Sequence, residues 1–274
     1  MVEFIDPSWG QKAADKLKLS ILLEPDSFSF SVLHHQKVLV FKQYQRNITE
    51  DFSPSNLTEF ADRIKDDAIM KLTFASRSFQ IIPDLFAFLP IRLFDKNNAD
   101  AYWAHLTDAA FDTPARFVEM PEQDLVILYR ENFFQQHLSQ LLFPDLSSFP
   151  IFKTLLPFLL EQDIPDMHIF CRISKNYLLV FTYRDRIFQF SNQFHCKETT
   201  DFQYFILLTC NQFQLIPSHE TLYLWGDCEE ESEVVLRLKA LFYGIKFLRA
   251  HWVIAPEAKT RVLSESKVLE HLIS

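Results

Sequence analysis

The sequence predicts a mixed α/β chain made of two halves of similar layout, and three observations carry that prediction. The chain has 274 residues, 48% of them hydrophobic, enough to fill one large core or two linked ones, and two lobes is the reading taken here. Ser27, Ser29 and Ser31 alternate with Phe28, Phe30 and Val32, the period-two signature of a strand. After Pro165 a succession of strand, turn, strand, turn and strand starts again, so the second half opens as the first does.

Taken in order, Lys18 to Glu24 is a short apolar-rich run, followed by Pro25 and Asp26 and then by the alternating segment Ser27 to Leu33. His34, His35 and Gln36 make a turn, with the histidine pair at a solvated hairpin tip, and Lys37 to Tyr44 is a third β-rich run. Together these form a three-stranded meander. Ser55 reads as the N-cap of a helix over Asn56 to Asp67, with Leu57, Phe60, Ala61 and Ile64 on one face. Lys71 to Ala75 and Phe79 to Ile82 read as strands, Ala99 to Leu106 as a helix, Leu125 to Tyr129 as a buried strand and Asn132 to Leu142 as a helix. Pro144, Pro150 and Pro157 punctuate the next apolar segment, which places lobe I over 15–148, lobe II over 149–255 and a C-terminal tail over 256–274.

In the second half His168 to Ile173, Tyr177 to Tyr183 and Ile187 to Phe190 read as strands, separated by turns at Ser174 to Asn176 and Arg184 to Asp185. Thr199 or Thr200 caps a helix to about Cys210, where Asp201 opposes the positive helix end; Thr221 to Trp225 is a strand and Glu231 to Tyr243 a helix. Asn192 reads as a hydrogen-bonding residue of the strand region, and His168 and His195 as structural histidines.

Composition removes several function classes. A formal charge of −9 opposes contact with a phosphate backbone, which argues against a nucleic-acid partner. Cys171, Cys196, Cys210 and Cys228 are too widely spaced for a zinc site, so no metal ligands are assigned, and reduced core thiols are expected. No apolar h-region opens the chain and no run approaches eighteen apolar residues, so a cytoplasmic protein is expected. The 29 phenylalanines argue first for an extensive core. With only Gly10, Gly226 and Gly244, the chain has no P-loop, Rossmann fingerprint or Gly-x-Ser-x-Gly elbow.

Two halves that each open with a three-stranded meander followed by helices and strands resemble the actin, hexokinase and Hsp70 ATPase superfamily, which is ribonuclease H-like. The chain resembles more closely an uncharacterised bacterial domain-of-unknown-function family of degenerate actin-like ATPases, most specifically in Phe190-Ser-Asn-Gln-Phe194, Thr200 to Leu208 and Leu222-Tyr-Leu-Trp-Gly226. The resemblance covers most of residues 17 to 250. It implies a two-lobed α/β fold in which each mixed sheet opens with the meander and is flanked by helices.

In active members, phosphates are held by turns of the type Asp-x-Gly, in which glycine lets backbone N–H groups approach and the acid orients Mg²⁺. The resemblance puts the first turn on Glu24-Pro25-Asp26, where proline lacks an N–H and Asp26 replaces glycine. It puts the second near Arg172-Ile173-Ser174, with arginine for the acid and serine for glycine. A third, Gly-Gly element falls on Gly226-Asp227, ahead of Glu229, Glu230 and Glu231. Glu24, Asp26, Arg172, Ser174, Gly226 and Asp227 are thus read as vestigial cleft positions, with no catalytic, cofactor or metal residue assigned and with ATP and Mg²⁺ disfavoured. The expected function is a non-catalytic, protein-binding or scaffold module. The alternatives are a divergent ATPase or small-molecule kinase using the inter-lobe cleft, and a peripheral membrane scaffold. The last rests on the tail, where Val262, Leu269 and Ile273 share a helical face that resembles the membrane-targeting helices of cell-division actin homologues; Glu265 and Glu270 weigh against membrane contact.

Overall fold

A computed structural model describes residues 2–11, 13–35, 37–45, 54–106, 113–162, 167–248 and 268–274. The chain separates into two compact units, Met1–Pro157 with Glu270–Ser274, and Phe158–Leu269. The last five residues, part of the stretch read from sequence as a tail, therefore belong to the first unit.

The first unit contains β1 (Val2–Ile5), β2 (Lys18–Leu23), β3 (Ser27–His34), β4 (Lys37–Gln45), α1 (Pro54–Lys65), β5 (Ser76–Ile81), β6 (Leu85–Pro90), α2 (Ala99–Leu106), β7 (Arg116–Met120), β8 (Leu125–Arg130), α3 (Phe133–Leu142) and β9 (Phe149–Pro150). The helix α4 (Phe152–Leu160) follows, with Pro157 inside it, and the division between units falls within it. Six strands form one sheet in the order β1-β4-β3-β2-β5-β9, with β2 parallel to β5 and the meander antiparallel. A separate antiparallel sheet runs β6-β8-β7. The strands β6 and β7 escape a periodicity reading because β6 is exposed to half-buried along its whole length and β7 follows no strict alternation.

One face of the six-stranded sheet is aromatic. Phe28 stacks with Phe143 at 6.3 Å, Phe79 meets the same ring edge-on at 5.4 Å, and Phe28, Phe30 and Phe79 are almost fully buried. Burial of each such ring stabilises the unit by roughly 1.5–3 kcal/mol. The opposite face carries Ser20, Ser29, Ser31, Gln43, Ser78 and Gln80, and all but Ser78 are also buried. Ser20, Ser29, Ser78 and Gln80 bond to the end of the chain, where α7 (Leu269–Leu272) makes a single turn. His271 Nδ1 lies 3.1 Å from the Ser20 carbonyl oxygen, so Nδ1 carries the proton and Nε2 accepts from the Ser29 hydroxyl at 3.0 Å. Gln80 Nε2 donates to the Glu270 carbonyl at 2.9 Å, Ser274 Oγ donates to Ser20 Oγ at 2.7 Å, and Lys18 Nζ donates to the Ser274 carbonyl. The alternation over Ser27 to Leu33 marks two buried faces, one apolar and one polar.

Two element readings of the first unit need correction. Residues 71–75 are not a strand: the Asp67 carboxylate accepts from the Ile69 N–H at 2.9 Å and successive turn bonds hold 67–72, irregular chain follows, and the strand starts at Ser76. The helix α1 begins at Pro54, which places Ser55 inside its first turn. The apolar segment after Pro144 contains β9 and α4.

The second unit holds β10 (Met167–Ile173), β11 (Tyr177–Arg184), β12 (Ile187–His195), α5 (Thr199–Gln212), β13 (Thr221–Gly226), α6 (Glu233–Lys239) and β14 (Gly244–Phe247). Its sheet runs β12-β11-β10-β13-β14, with β13 parallel to both neighbours. Ile169, Cys171, Ile173, Leu178, Val180, Leu222 and Leu224 face α5 and α6 through Ile206, Val235 and Leu238, all buried. Glu198 is the N-cap of α5, and Asp201 reaches back to accept from the Lys197 and Glu198 N–H groups at 2.7 and 3.0 Å. Those bonds hold its carboxyl below the usual range. The helix α6 is shorter than the period predicts, because the chain turns after Lys239 to enter β14.

Candidate functional site

In the first unit, Glu24-Pro25-Asp26 joins β2 to β3, and the turn is closed by Glu24 N–H donating to the Ser27 carbonyl at 2.8 Å. Glu24 and Asp26 are each 4% exposed. The neighbouring parallel strand is fixed to the turn's entry, since Ile82 N–H donates to the Leu23 carbonyl at 2.9 Å. The Ile82 carbonyl in turn accepts from Gln135 Nε2 at 2.7 Å, a buried side chain in the capping box of α3. The turn is therefore rigidly held, with two buried carboxylates and a proline where a phosphate-holding turn needs open N–H groups.

In the second unit, Ser174-Lys175-Asn176 joins β10 to β11. Ser174 N–H and Oγ both donate to the Tyr177 carbonyl, at 2.9 and 3.1 Å, which occupies the hydroxyl within its own hairpin. Arg172, 6% exposed, lies beside Trp225 in the parallel register with β13. Gly226 ends β13 at φ +95°, and a Cβ there would stand 2.2 Å from the Ile173 carbonyl oxygen. Asp227 N–H donates to that same oxygen at 2.6 Å. The glycine thus lets the chain pass directly over β10, and its special backbone is used to close the sheet. Beyond it, Glu229, Glu230 and Glu231 are exposed ahead of α6, whose N-cap is Ser232.

Of the six positions singled out from sequence, four therefore assemble at the C-terminal ends of β10 and β13, and Glu24 and Asp26 lie at the C-terminal end of β2. Each unit by itself thus carries acids at its candidate position: Glu24 and Asp26, buried, at the first turn, and Glu229, Glu230 and Glu231, exposed, ahead of α6.

Other chemistry-bearing residues are accounted for structurally. All four cysteines are free and buried; burial pushes the Cys196 and Cys210 thiols up to about 12, away from nucleophilic use. No cluster of three metal-ligating side chains occurs among the described residues. His34 and His35 pack against each other at 4.4 Å on the β3–β4 hairpin, where His35 takes φ 51°. A polar cluster that sequence gave no sign of ties α1's exit to β4: Asp67 accepts from Lys42 at 2.7 Å and from the Tyr44 hydroxyl at 2.6 Å. Burial pushes the Asp67 carboxyl up, but these bonds outweigh it and hold the group low.

Comparison with known proteins places this geometry in a family. The chain belongs to the family described as Protein of unknown function (DUF3822), whose model matches residues 8–245. A Bacteroides thetaiotaomicron VPI-5482 protein with actin-like ATPase fold and unknown function is similar over 95% of this chain and 96% of its own, with 14% identity and a TM-score of 0.72. The chain in the PilM-PilN type IV pilus biogenesis complex is similar over 93% of this chain and 96% of its own, with 10% identity and a TM-score of 0.59. No curated protein matches the chain. The fold is the two-lobed actin-like ATPase fold.

Proposed function

We propose that this member of the DUF3822 family is a non-catalytic actin-like module of the cytoplasm that acts by binding another protein. The observation that carries the reading is the buried Glu24-Pro25-Asp26 turn, in which carboxylates and a proline stand where nucleotide-binding relatives of the fold present glycine N–H groups. The engagement of Gly226 and Ser174 in their own sheet supports it. So does the PilM neighbour, which was solved as a complex with PilN. The peripheral-membrane alternative loses support at the end of the chain, where Val268, Leu269 and Leu272 are buried and Ile273 is half-buried; Val262 and Glu265 lie outside the described residues. No helix among the described residues is long and apolar enough to cross a membrane.

Co-purification of the full chain from a native lysate under mild crosslinking tests the proposal. A stoichiometric protein partner is expected, and a protein that stays solitary at every crosslinker dose would contradict it.

A further inference from the structure

The first unit is built from one continuous stretch, Met1–Pro157, and one short piece distant in sequence, Glu270–Ser274. Side chains on three strands that share one sheet face hold the short piece. Ser20 of β2 and Ser29 of β3 take the two nitrogens of the His271 ring, and Ser78 of β5 donates to Ser274 Oγ at 3.1 Å. Gln80 is set in place from behind, because Thr154 Oγ1 donates to its Oε1 at 2.8 Å and leaves its Nε2 for the Glu270 carbonyl. Phe41 of β4 meets the His271 ring edge-on at 5.7 Å.

These contacts are hydrogen bonds, and each adds little net stability because both groups bond water when they part. The segment is therefore held by specific geometry at a modest cost of release. The face also offers more than the segment uses. Ser31 Oγ and Gln43 Oε1 are buried without a hydrogen-bond partner among the described residues, in side chains that belong to residues 0% and 4% exposed. Both adjoin Ser29, the seat of His271 Nε2: Gln43 is its cross-strand partner, and Ser31 follows two residues on along the same face. A buried polar atom without a partner costs stability. A segment that reaches these two atoms therefore binds this face better than the chain's own segment does.

We propose that the polar face of the six-stranded sheet is a peptide-binding site, and that Glu270–Ser274 is its resident, exchangeable ligand. The contacts define the class of ligand. It is a short turn with a neutral imidazole bonded through both ring nitrogens and a hydroxyl three residues later, as His271 and Ser274 are, together with a hydrogen-bond donor placed to reach Ser31 and Gln43. A segment of a partner protein supplies these groups. That assignment of the ligand rests on the protein-binding reading, and the site itself does not.

Fluorescence anisotropy of a labelled peptide of residues 268–274 tests the site, with the full chain and with the full chain carrying His271→Ala, whose own segment competes less. Circular dichroism serves as the folding control. The peptide should bind the His271→Ala chain about tenfold or more tighter than the wild-type chain, since apparent affinity follows the fraction of open sites. A peptide that itself carries His271→Ala should bind about tenfold more weakly. No saturable binding to the folded variant up to about 1 mM peptide overturns the proposal, as does binding that distinguishes neither the two chains nor the two peptides. Should the variant not fold, hydrogen exchange of the wild-type chain decides: the amides of 270–274 should exchange ahead of those of β2 and β3, and exchange of all of them together overturns the proposal. Ser31→Ala removes a hydroxyl that has no partner and should leave the fold intact while lowering capture of a co-purifying partner about tenfold. A partner captured equally by Ser31→Ala and wild type overturns this seat and leaves the protein-binding reading standing. Peptide binding by a chain that co-purifies with nothing upholds the site and contradicts that reading.

Discussion

The two meanders share length, register shift and turn size, and they differ in what surrounds them. In the first unit β3 is buried on both faces except at its last residue, and its neighbour β4 has β1 on the outer edge. In the second, β11 is buried but the outer strand β12 is exposed to half-buried throughout. A repeated backbone plan therefore leaves face and edge chemistry to be set separately: the first unit has a polar face held by the chain's end, while the second is apolar on both faces, with α5 and α6 on one and the buried rings of Phe170, Phe181 and Trp225 on the other, and has an exposed to half-buried outer strand. The turns diverged as well. Carboxylates occupy the first and a self-bonded serine the second.

The largest expected effect breaks the comparison at equivalent places in the parallel pairings. Gly226 pairs with Ile173 as Ile81 pairs with Leu23, yet only Gly226 has the left-handed backbone. Gly226→Ala should destabilise the protein by roughly 3 kcal/mol or more through strain and clash with the Ile173 carbonyl, read as a shift of the chemical denaturation midpoint. Next is the polar face peculiar to the first unit. His271→Ala takes the imidazole from the Ser29 hydroxyl and the Ser20 carbonyl and should lower stability by about 1–3 kcal/mol in the same measurement.

The Asp67 cluster gives a pH-dependent test. A carboxyl held below its ordinary value contributes stability that is complete above the unfolded carboxylate range, about 3.9, and is lost as pH falls through the lower folded value. Asp67→Asn should therefore lower stability at neutral pH and flatten the acid limb of a stability-against-pH profile. The smallest effect belongs to the edge pair of β1. Glu3→Gln removes a half-exposed partner of Lys42 and should change stability by less than about 1 kcal/mol, since Lys42 keeps Asp67.

Much of this plan was legible in the sequence because it is local. Period-two runs and short turns marked both meanders, and the absence of glycine between residues 11 and 225 marked the altered turns. What was not legible is what distant residues do to local pattern. Ser20 and Ser29 are satisfied by residues some 250 and 240 positions away, so nothing near them announces a buried polar face. The stretch at 71–75 looks like a strand by composition, but a single carboxylate, Asp67, turns the backbone before it. At the candidate turns, identity could be read but not burial: only the structure shows Glu24 and Asp26 enclosed and Gly226 committed to crossing β10.

The central claim, that the turns of this actin-like fold no longer hold a nucleotide, is tested most directly by isothermal titration calorimetry of the full chain with ATP and Mg²⁺. The account predicts no saturable heat at any ATP concentration up to about 1 mM, where even a weak site worth about 4 kcal/mol would be half filled. Saturable binding that is abolished by Glu24→Ala or Asp26→Ala would contradict it.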